Sequence, residues 1–357
     1  MKAVLMLEDG TSFNGEGFGS EKEVIGEVIL NTAVVGYQEM MTDPANAGKI
    51  LVPTYPLIGN YGISPKFNES SRCWISGLAI KEKSRMYSNW QAKSGLDAFV
   101  KEQGVAGING VDTRTLAVHL RNNGEMFGII STSNRGSKEL LSKIEAFRKS
   151  QARDFIKKIS VDKPTLIGSK KAKYKIAGLD LGITNSIIRQ LEILGIVLNL
   201  LPYNTKPDEI MKIKPHGLII SSGPEEDVSL EEVAENTKSL IGRLPILGIC
   251  TGHQVLASAL GAKLQKMKLG HRGVNYPVAQ PGSYKAEITT QNHGYVVEKN
   301  SLSKIKDVAM TGYHLNDKTV EEMESKKFKL LGVQYYPVSP GFNEVNGVFK
   351  KFIKLLN

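Results

Sequence analysis

Two patterns of apolar residues divide the chain near residue 170. Before that point the apolar runs are short and broken by glycine and proline. Ala3–Leu7, Val28–Leu30, Ile50–Val52 and Trp74–Ile80 read as strands, and Thr113–Asn122 reads as a helix after the turn Asn109-Gly110. That mixture predicts an α+β domain. Ser160–Lys173 is rich in lysine, contains Pro164 and Gly168, and reads as a linker. Beyond it, apolar runs alternate with amphipathic stretches. Ile176–Leu181 ends at Gly182. Ser186–Leu194 then places Ile187, Ile188, Leu191 and Leu194 on one helical face, closed by Gly195. Ile196–Leu201, Gly217–Ile220 and Pro245–Ile249 are further strands, and Val348, Phe349, Phe352, Ile353 and Leu356 mark a closing amphipathic helix. Continuous apolar strands between helices predict a mainly parallel sheet flanked by helices. The expected layout is α/β: a domain over 1–152, a linker over 153–173 and a second domain over 174–357.

One segment carries chemistry. Pro245–Ile249 leads into Cys250-Thr251-Gly252-His253-Gln254, and Val255–Leu260 continues as a helix to Gly261. Strand, Gly-x-Cys-x-Gly and helix in that order predict a nucleophile elbow with cysteine in place of serine. The flanking glycines answer to crowding at so sharp a reversal. The turn leaves Cys250 at a helix N-terminus, where the dipole and free N–H groups favour a thiolate, and the next N–H can face a developing oxyanion. A free cysteine is most often a small buried hydrophobe, and the lone Gly-x-Cys-x-Gly would not displace that reading. The strand before it and the helix after it do.

Composition removes other classes. The chain has 357 residues with 41% hydrophobic residues, enough for two cored domains. Net charge is +10, carried by scattered lysines without a nucleic-acid motif or interleaved aromatics, so a solvated surface or an acidic protein partner is expected rather than nucleic acid. Cys73 and Cys250 are too few for a disulfide framework or a metal cluster, which fits a reducing cytoplasm, and no metal site is expected. The N-terminal apolar run is too short for a signal peptide, no run is long enough to span a membrane, and no phosphate-binding loop is present.

The elbow resembles the motif of class I glutamine amidotransferases. Gln291-Asn292-His293-Gly294-Tyr295 and Gly270–Val278 resemble the carbamoyl-phosphate synthetase branch of that group. Gly36-Tyr37-Gln38-Glu39, Thr42-Asp43-Pro44, Thr54–Gly62, Ser88-Asn89-Trp90 and Gly110–Arg114 are similar to the N-terminal domain of carbamoyl-phosphate synthetase small subunits. The resemblance covers nearly the whole chain. It implies an N-terminal small-subunit domain followed by a class I glutamine amidotransferase domain. It also implies Cys250 as the nucleophile that forms a glutamyl thioester, with a histidine oriented by a glutamate moving the protons. Gly223, Thr251, Gln254, Asn292, Gly294 and Tyr295 fall on glutamine-binding positions. The implied partner is a large subunit that receives ammonia and holds ATP and bicarbonate, with no cofactor on this chain.

The sequence departs from that pattern where proton transfer should occur. In the family a His-Pro-Glu segment precedes Ser-Pro-Gly. Here Tyr336-Pro337-Val338-Ser339-Pro340-Gly341 stands instead, one residue short, with Tyr336 at the base position and Val338 at the orienting position. A tyrosine, with pKa near ~10, is a poor base at neutral pH, and valine offers no acceptor. Glu225 adds bulk and negative charge at a glycine position, Ala45 replaces a serine that contacts glutamine, and Thr251 replaces a leucine. His253, His293, His271 and His314 are the remaining candidates for a substitute base. The expected roles are therefore a glutamine-hydrolysing small subunit, a non-catalytic subunit that holds or activates an ammonia-dependent large subunit, or a diverged paralogue.

Overall fold

The computed structural model describes all residues except Asn134, Gln151, Ala152, Lys170 and Phe342. It divides into two compact units, Met1–Ala152 with Lys268–Arg272, and Arg153–Met267 with Gly273–Asn357.

The first unit is built on nine strands: β1 (Lys2–Leu7), β2 (Ser12–Gly19), β3 (Val24–Asn31), β4 (Ile50–Pro53), β5 (Leu57–Ile58), β6 (Gly77–Ile80), β7 (Glu82–Lys83), β8 (Ala106–Asn109) and β9 (Met126–Ser131). Seven of them close a barrel in the order β1-β2-β8-β6-β4-β3-β9, while β5 and β7 form a separate pair. Closure leaves no barrel edge, and the inward positions Leu5, Val28, Ile50, Val52, Ala79 and Ile108 fill the interior. The strands read from sequence are present, but their closure into a barrel depends on pairings distant in sequence. The helix Thr113–Asn123 begins where Asp112 accepts the Thr115 N–H at 3.0 Å, an N-cap that accounts for that family-like segment. Gly36–Glu39 is likewise scaffolding, with Tyr37 and Gln38 buried. Gly36 takes positive φ, the Tyr61 hydroxyl accepts the Gly36 and Tyr37 N–H groups, and the Tyr37 and Tyr61 rings stack at 4.2 Å. Gln38 exchanges hydrogen bonds with Ser64.

The first unit also contains Lys268–Arg272. There Arg272, the largest fully buried side chain, pairs with Glu125, and both side chains are 1% exposed. The Glu125 N–H donates to the Lys268 carbonyl and the Thr32 N–H to the Arg272 carbonyl.

The second unit carries β10 (Thr165–Ile167), β11 (Tyr174–Asp180), β12 (Ile196–Pro202), β13 (Gly217–Ile220), β14 (Ile246–Ile249), β15 (Leu264–Ala279, apart from its stretch Lys268–Arg272), β16 (Ala286–Val297), β17 (Ala309–His314), β18 (Val320–Ser325) and β19 (Leu330–Val333). They form one sheet in the order β10-β12-β11-β13-β14-β19-β18-β17-β15-β16. From β12 to β19 all neighbours are parallel, whereas β10/β12, β19/β18, β18/β17 and β17/β15 are antiparallel. The mainly parallel sheet expected from sequence is thus the centre of a mixed one. The antiparallel wing carries more polar residues and gave no βαβ rhythm. In the parallel centre Leu218, Ile220 and Ile246 pack on one face, and Ile219, Leu247 and Ile249 on the other, so each run is apolar throughout.

The expected linker over 153–173 is built into this unit. Phe155–Ile159 is a short helix whose Ile156 is fully buried, its N–H held by Asp227 at 2.8 Å, and β10 pairs with β12. The lysines that suggested a linker lie on the exposed side of these elements. Lys170 of that stretch, and the boundary at residue 152, lie outside the described residues.

Candidate active site

Strand β14 ends at Ile249, and the helix Thr251–Ala259 starts one residue later. Cys250 between them takes φ 52° and ψ −109°, a left-handed backbone that costs a non-glycine residue about 1–3 kcal/mol. Its N–H donates to Val333 on β19, and its carbonyl receives the Gln254 N–H at 3.1 Å, so strand and helix pin the strained residue from both sides. The glycines are steric requirements. A Cβ on Gly252 would lie 2.0 Å from the Ile220 carbonyl oxygen, and one on Gly248 would lie 2.5 Å from the Gly252 carbonyl oxygen. This is the elbow that the sequence predicted. Cys250 is buried, with Sγ 3.6 Å from the Asn292 carbonyl oxygen and 3.9 Å from Gln334 Nε2.

The neighbouring loop packs equally tightly. A Cβ on Gly223 would meet the Leu181 carbonyl oxygen at 2.1 Å, and the Gly223 carbonyl accepts the Thr251 hydroxyl at 2.5 Å. A leucine at 251 could not make this bond, so the departure at Thr251 adds a tie between elbow and loop. Gln254, one helical turn beyond Cys250, donates to the Tyr295 carbonyl at 3.1 Å and to Glu225 Oε1 at 2.7 Å. The Gly294 and Tyr295 N–H groups donate to the same carboxylate at 2.6 and 3.1 Å. Six of the expected site residues, Cys250, Gln254, Asn292, Gly294, Tyr295 and Glu225, are therefore linked by direct contacts, and Gly223 and Thr251 bond to each other beside them. Ala45 is buried in a short turn of the first unit, Pro44–Asn46, where its N–H donates to Asp43.

The segment Tyr336–Val338, read from sequence as the place of base and orienter, is held through its backbone. Tyr336 is buried, and its N–H donates to Thr290. Gln190 Nε2 donates to the Pro337 carbonyl at 2.8 Å, the Val338 carbonyl accepts Asn346 Nδ2 at 3.0 Å, and the Val338 side chain is 37% exposed. The four histidines take other positions. His253 is fully buried against Gly332, and burial drives its pKa down to about 3, offset in part by the Gly332 backbone, which leaves it a weak base. His293 faces the Gln291 Oε1 and Tyr295 carbonyl oxygens with its two ring nitrogens, at 3.1 and 3.0 Å. His314 sits 3.2 Å from Asp317, and His271 lies in the segment that belongs to the first unit.

Sequence reasoning missed Gln334, which reaches both Cys250 and Gln254, and Glu321, fully buried and bonded by Gln291 at 2.9 Å. It also missed Glu226, which accepts the Tyr295 hydroxyl and pairs with Lys266 and Arg153. Gln334 stands two residues before Tyr336, so its spacing could have marked it; Glu321 and Glu226 carry no such signal.

With this geometry in hand, the relatives decide the family. Residues 5–130 match the carbamoyl-phosphate synthase small chain, CPSase domain, and residues 177–355 match the class-I glutamine amidotransferase family. The carbamoyl phosphate synthase small chain of Syntrophotalea carbinolica is 39% identical over 370 residues, covering 100% of this chain and 98% of that protein. The chain belongs to the carbamoyl-phosphate synthase small chain family. The small chains of Listeria monocytogenes serotype 4b (39% over 363 residues, 100% and 97% covered) and Thermus thermophilus (39% over 365 residues, 99% and 93% covered) are similar throughout. As a carbamoyl-phosphate synthase small chain it carries its amidotransferase domain on the second unit. Among the described residues, no helix is long and apolar enough to cross a membrane.

Proposed function

We propose that this small chain serves a carbamoyl-phosphate synthetase as a partner subunit whose own glutamine hydrolysis is at background. The observation that carries the reading is the pair Tyr336 and Val338 at the base and orienting positions, beside an elbow that is otherwise formed. Attack by Cys250 on an amide requires a group that takes the thiol proton and returns it to the departing ammonia. A valine cannot fix a base, and His253, held neutral by burial, has too low a pKa to replace one at pH 7. On this reading the large subunit takes free ammonia, binds ATP and bicarbonate, and makes carbamoyl phosphate for arginine and pyrimidine synthesis in the cytoplasm. This chain contributes assembly and activation and needs no cofactor.

The partner surface is best sought on the first unit. Tyr37 and Gln38 do not supply it, being buried. Trp90 at 86% and Met86 at 83% exposure stand beside Ser88 and Asn89 in a loop tied back through the Ser88 N–H to Asn60. Exposed large apolar side chains on an anchored loop suit a protein contact. Three measurements test the proposal. Purified chain, alone and with the large subunit, should release no ammonia from glutamine beyond a Cys250→Ala control, while ammonia-dependent synthesis by the large subunit should rise on its addition. Cys250-dependent ammonia release at ordinary enzymatic rates would overturn the reading. Trp90→Asp with Met86→Asp should abolish copurification without shifting the melting temperature.

A further inference from the structure

We propose that Glu225 is the resident ligand of the glutamine pocket: its carboxylate occupies the cradle that would otherwise bind the carboxylate of a free α-amino acid. This rests on the reading that Gln254, Gly294 and Tyr295 face the glutamine subsite. Three donors from two elements converge on the one side chain. Gly294 N–H reaches Oε2 at 2.6 Å, and Tyr295 N–H and Gln254 Nε2 reach Oε1 at 3.1 and 2.7 Å. Successive N–H groups of an extended strand point to opposite sides, so two of them closing on one carboxylate form a concavity of the kind that binds anions. Such bonds to a charged acceptor are among the stronger hydrogen bonds in proteins.

The cradle adjoins the elbow. Asn292, two residues before Gly294, touches Cys250 through its carbonyl, and Gln254 is one turn from Cys250 on the same helix. The loop that carries it is also anchored at the next residue. Glu226 accepts the Tyr295 hydroxyl at 2.5 Å and pairs with Lys266 at 2.7 Å and with Arg153. The plug therefore competes as a tethered group held in register, and a free amino acid must displace it before its own carboxylate can be bound. Tethering of this kind lowers the apparent affinity by the fraction of molecules in which the cradle is open.

The experiment is a binding titration of the full-length chain by calorimetry at neutral pH, with L-glutamine and with L-glutaminamide, which lacks the α-carboxylate. Wild type should show no saturable uptake of L-glutamine in the millimolar range. Glu225→Gly should bind L-glutamine at least about tenfold more tightly than wild type and should prefer it to L-glutaminamide. The melting temperature of that variant should rise with L-glutamine. Equal affinity in wild type and Glu225→Gly, or no preference for the carboxylate, overturns the proposal. Should the glycine variant fail to fold, Glu225→Gln keeps the shape and removes the charge, and an affinity unchanged from wild type there overturns it as well. Wild type that binds L-glutamine well yet releases no ammonia would refute the plug and leave the functional reading standing. Wild type that binds none and fails to activate the large subunit would do the reverse.

Discussion

The elbow and the segment after β19 lie on neighbouring strands of one sheet, the elbow at the end of β14, and they are held in different ways. The elbow is fixed by backbone sterics. Gly248, Gly252 and the strained Cys250 leave no room for alternatives. The base segment is fixed by hydrogen bonds to its backbone, from Gln190 and Asn346 and to Thr290, and these do not depend on which side chains stand at 336 and 338. A site held by main-chain packing cannot drift without unfolding, whereas one that needs only particular side-chain chemistry can be lost in place.

The largest test of that contrast is repair. Tyr336→His alone should leave ammonia release at background, because nothing at Val338 would orient the ring. Tyr336→His with Val338→Glu and Glu225→Gly should raise it by several orders of magnitude, since members of a nucleophilic triad act as a unit worth up to about a millionfold. Full activity from the single change would show that the arm is less damaged than its side chains indicate. Next in size, Gly252→Ala should destabilise the chain by about 4 kcal/mol or more, read by chemical denaturation, because its Cβ would press on the Ile220 carbonyl.

A pH experiment sharpens the same contrast. His253 stays neutral in the folded chain down to about pH 3, whereas in the unfolded chain it binds a proton below ~6.5. The unfolded state thus gains protons first on acidification, and stability present above pH 6.5 is lost as pH falls toward 3, by up to about 1.4 kcal/mol per pH unit. His253→Leu should flatten denaturation midpoints measured between pH 7 and pH 5; an unchanged slope would place the acid sensitivity elsewhere. Smallest of all, Val338→Ala, on the exposed arm, should move stability by no more than about 0.5 kcal/mol.

Much of this was legible in the sequence, and the gaps have physical causes. Pro245–Leu260 could be read as an elbow because local spacing dictates strand, reversal and helix. The helix Thr113–Asn122 was equally plain, following directly on the turn Asn109-Gly110. The barrel was not legible, since β4 pairs with β3 and β6 through register that no local pattern encodes. Nor was the antiparallel wing, whose strands include polar Gln291, Glu321 and Glu322. Glu225 could be marked as an intrusion at a glycine position, but which donors would receive it depended on β16 arriving beside the loop. Exposed lysines disguised Phe155–Ile159 and β10 as a tether although Ile156 lies in the core.

The pairing of Arg272 with Glu125 has a consequence for how the protein is made. A ribosome delivers Glu125 well before Arg272, and at ordinary elongation rates the gap of about 150 residues lasts on the order of ten seconds. During that interval Glu125 has no guanidinium partner, and burying it uncompensated would be unfavourable by several kcal/mol. The burial of Glu125 with its partner is therefore completed late in synthesis, once residues 153–267 of the second unit have been made. A gene cut at the apparent boundary would yield an N-terminal fragment that keeps its strands but lacks the cation that pairs with Glu125.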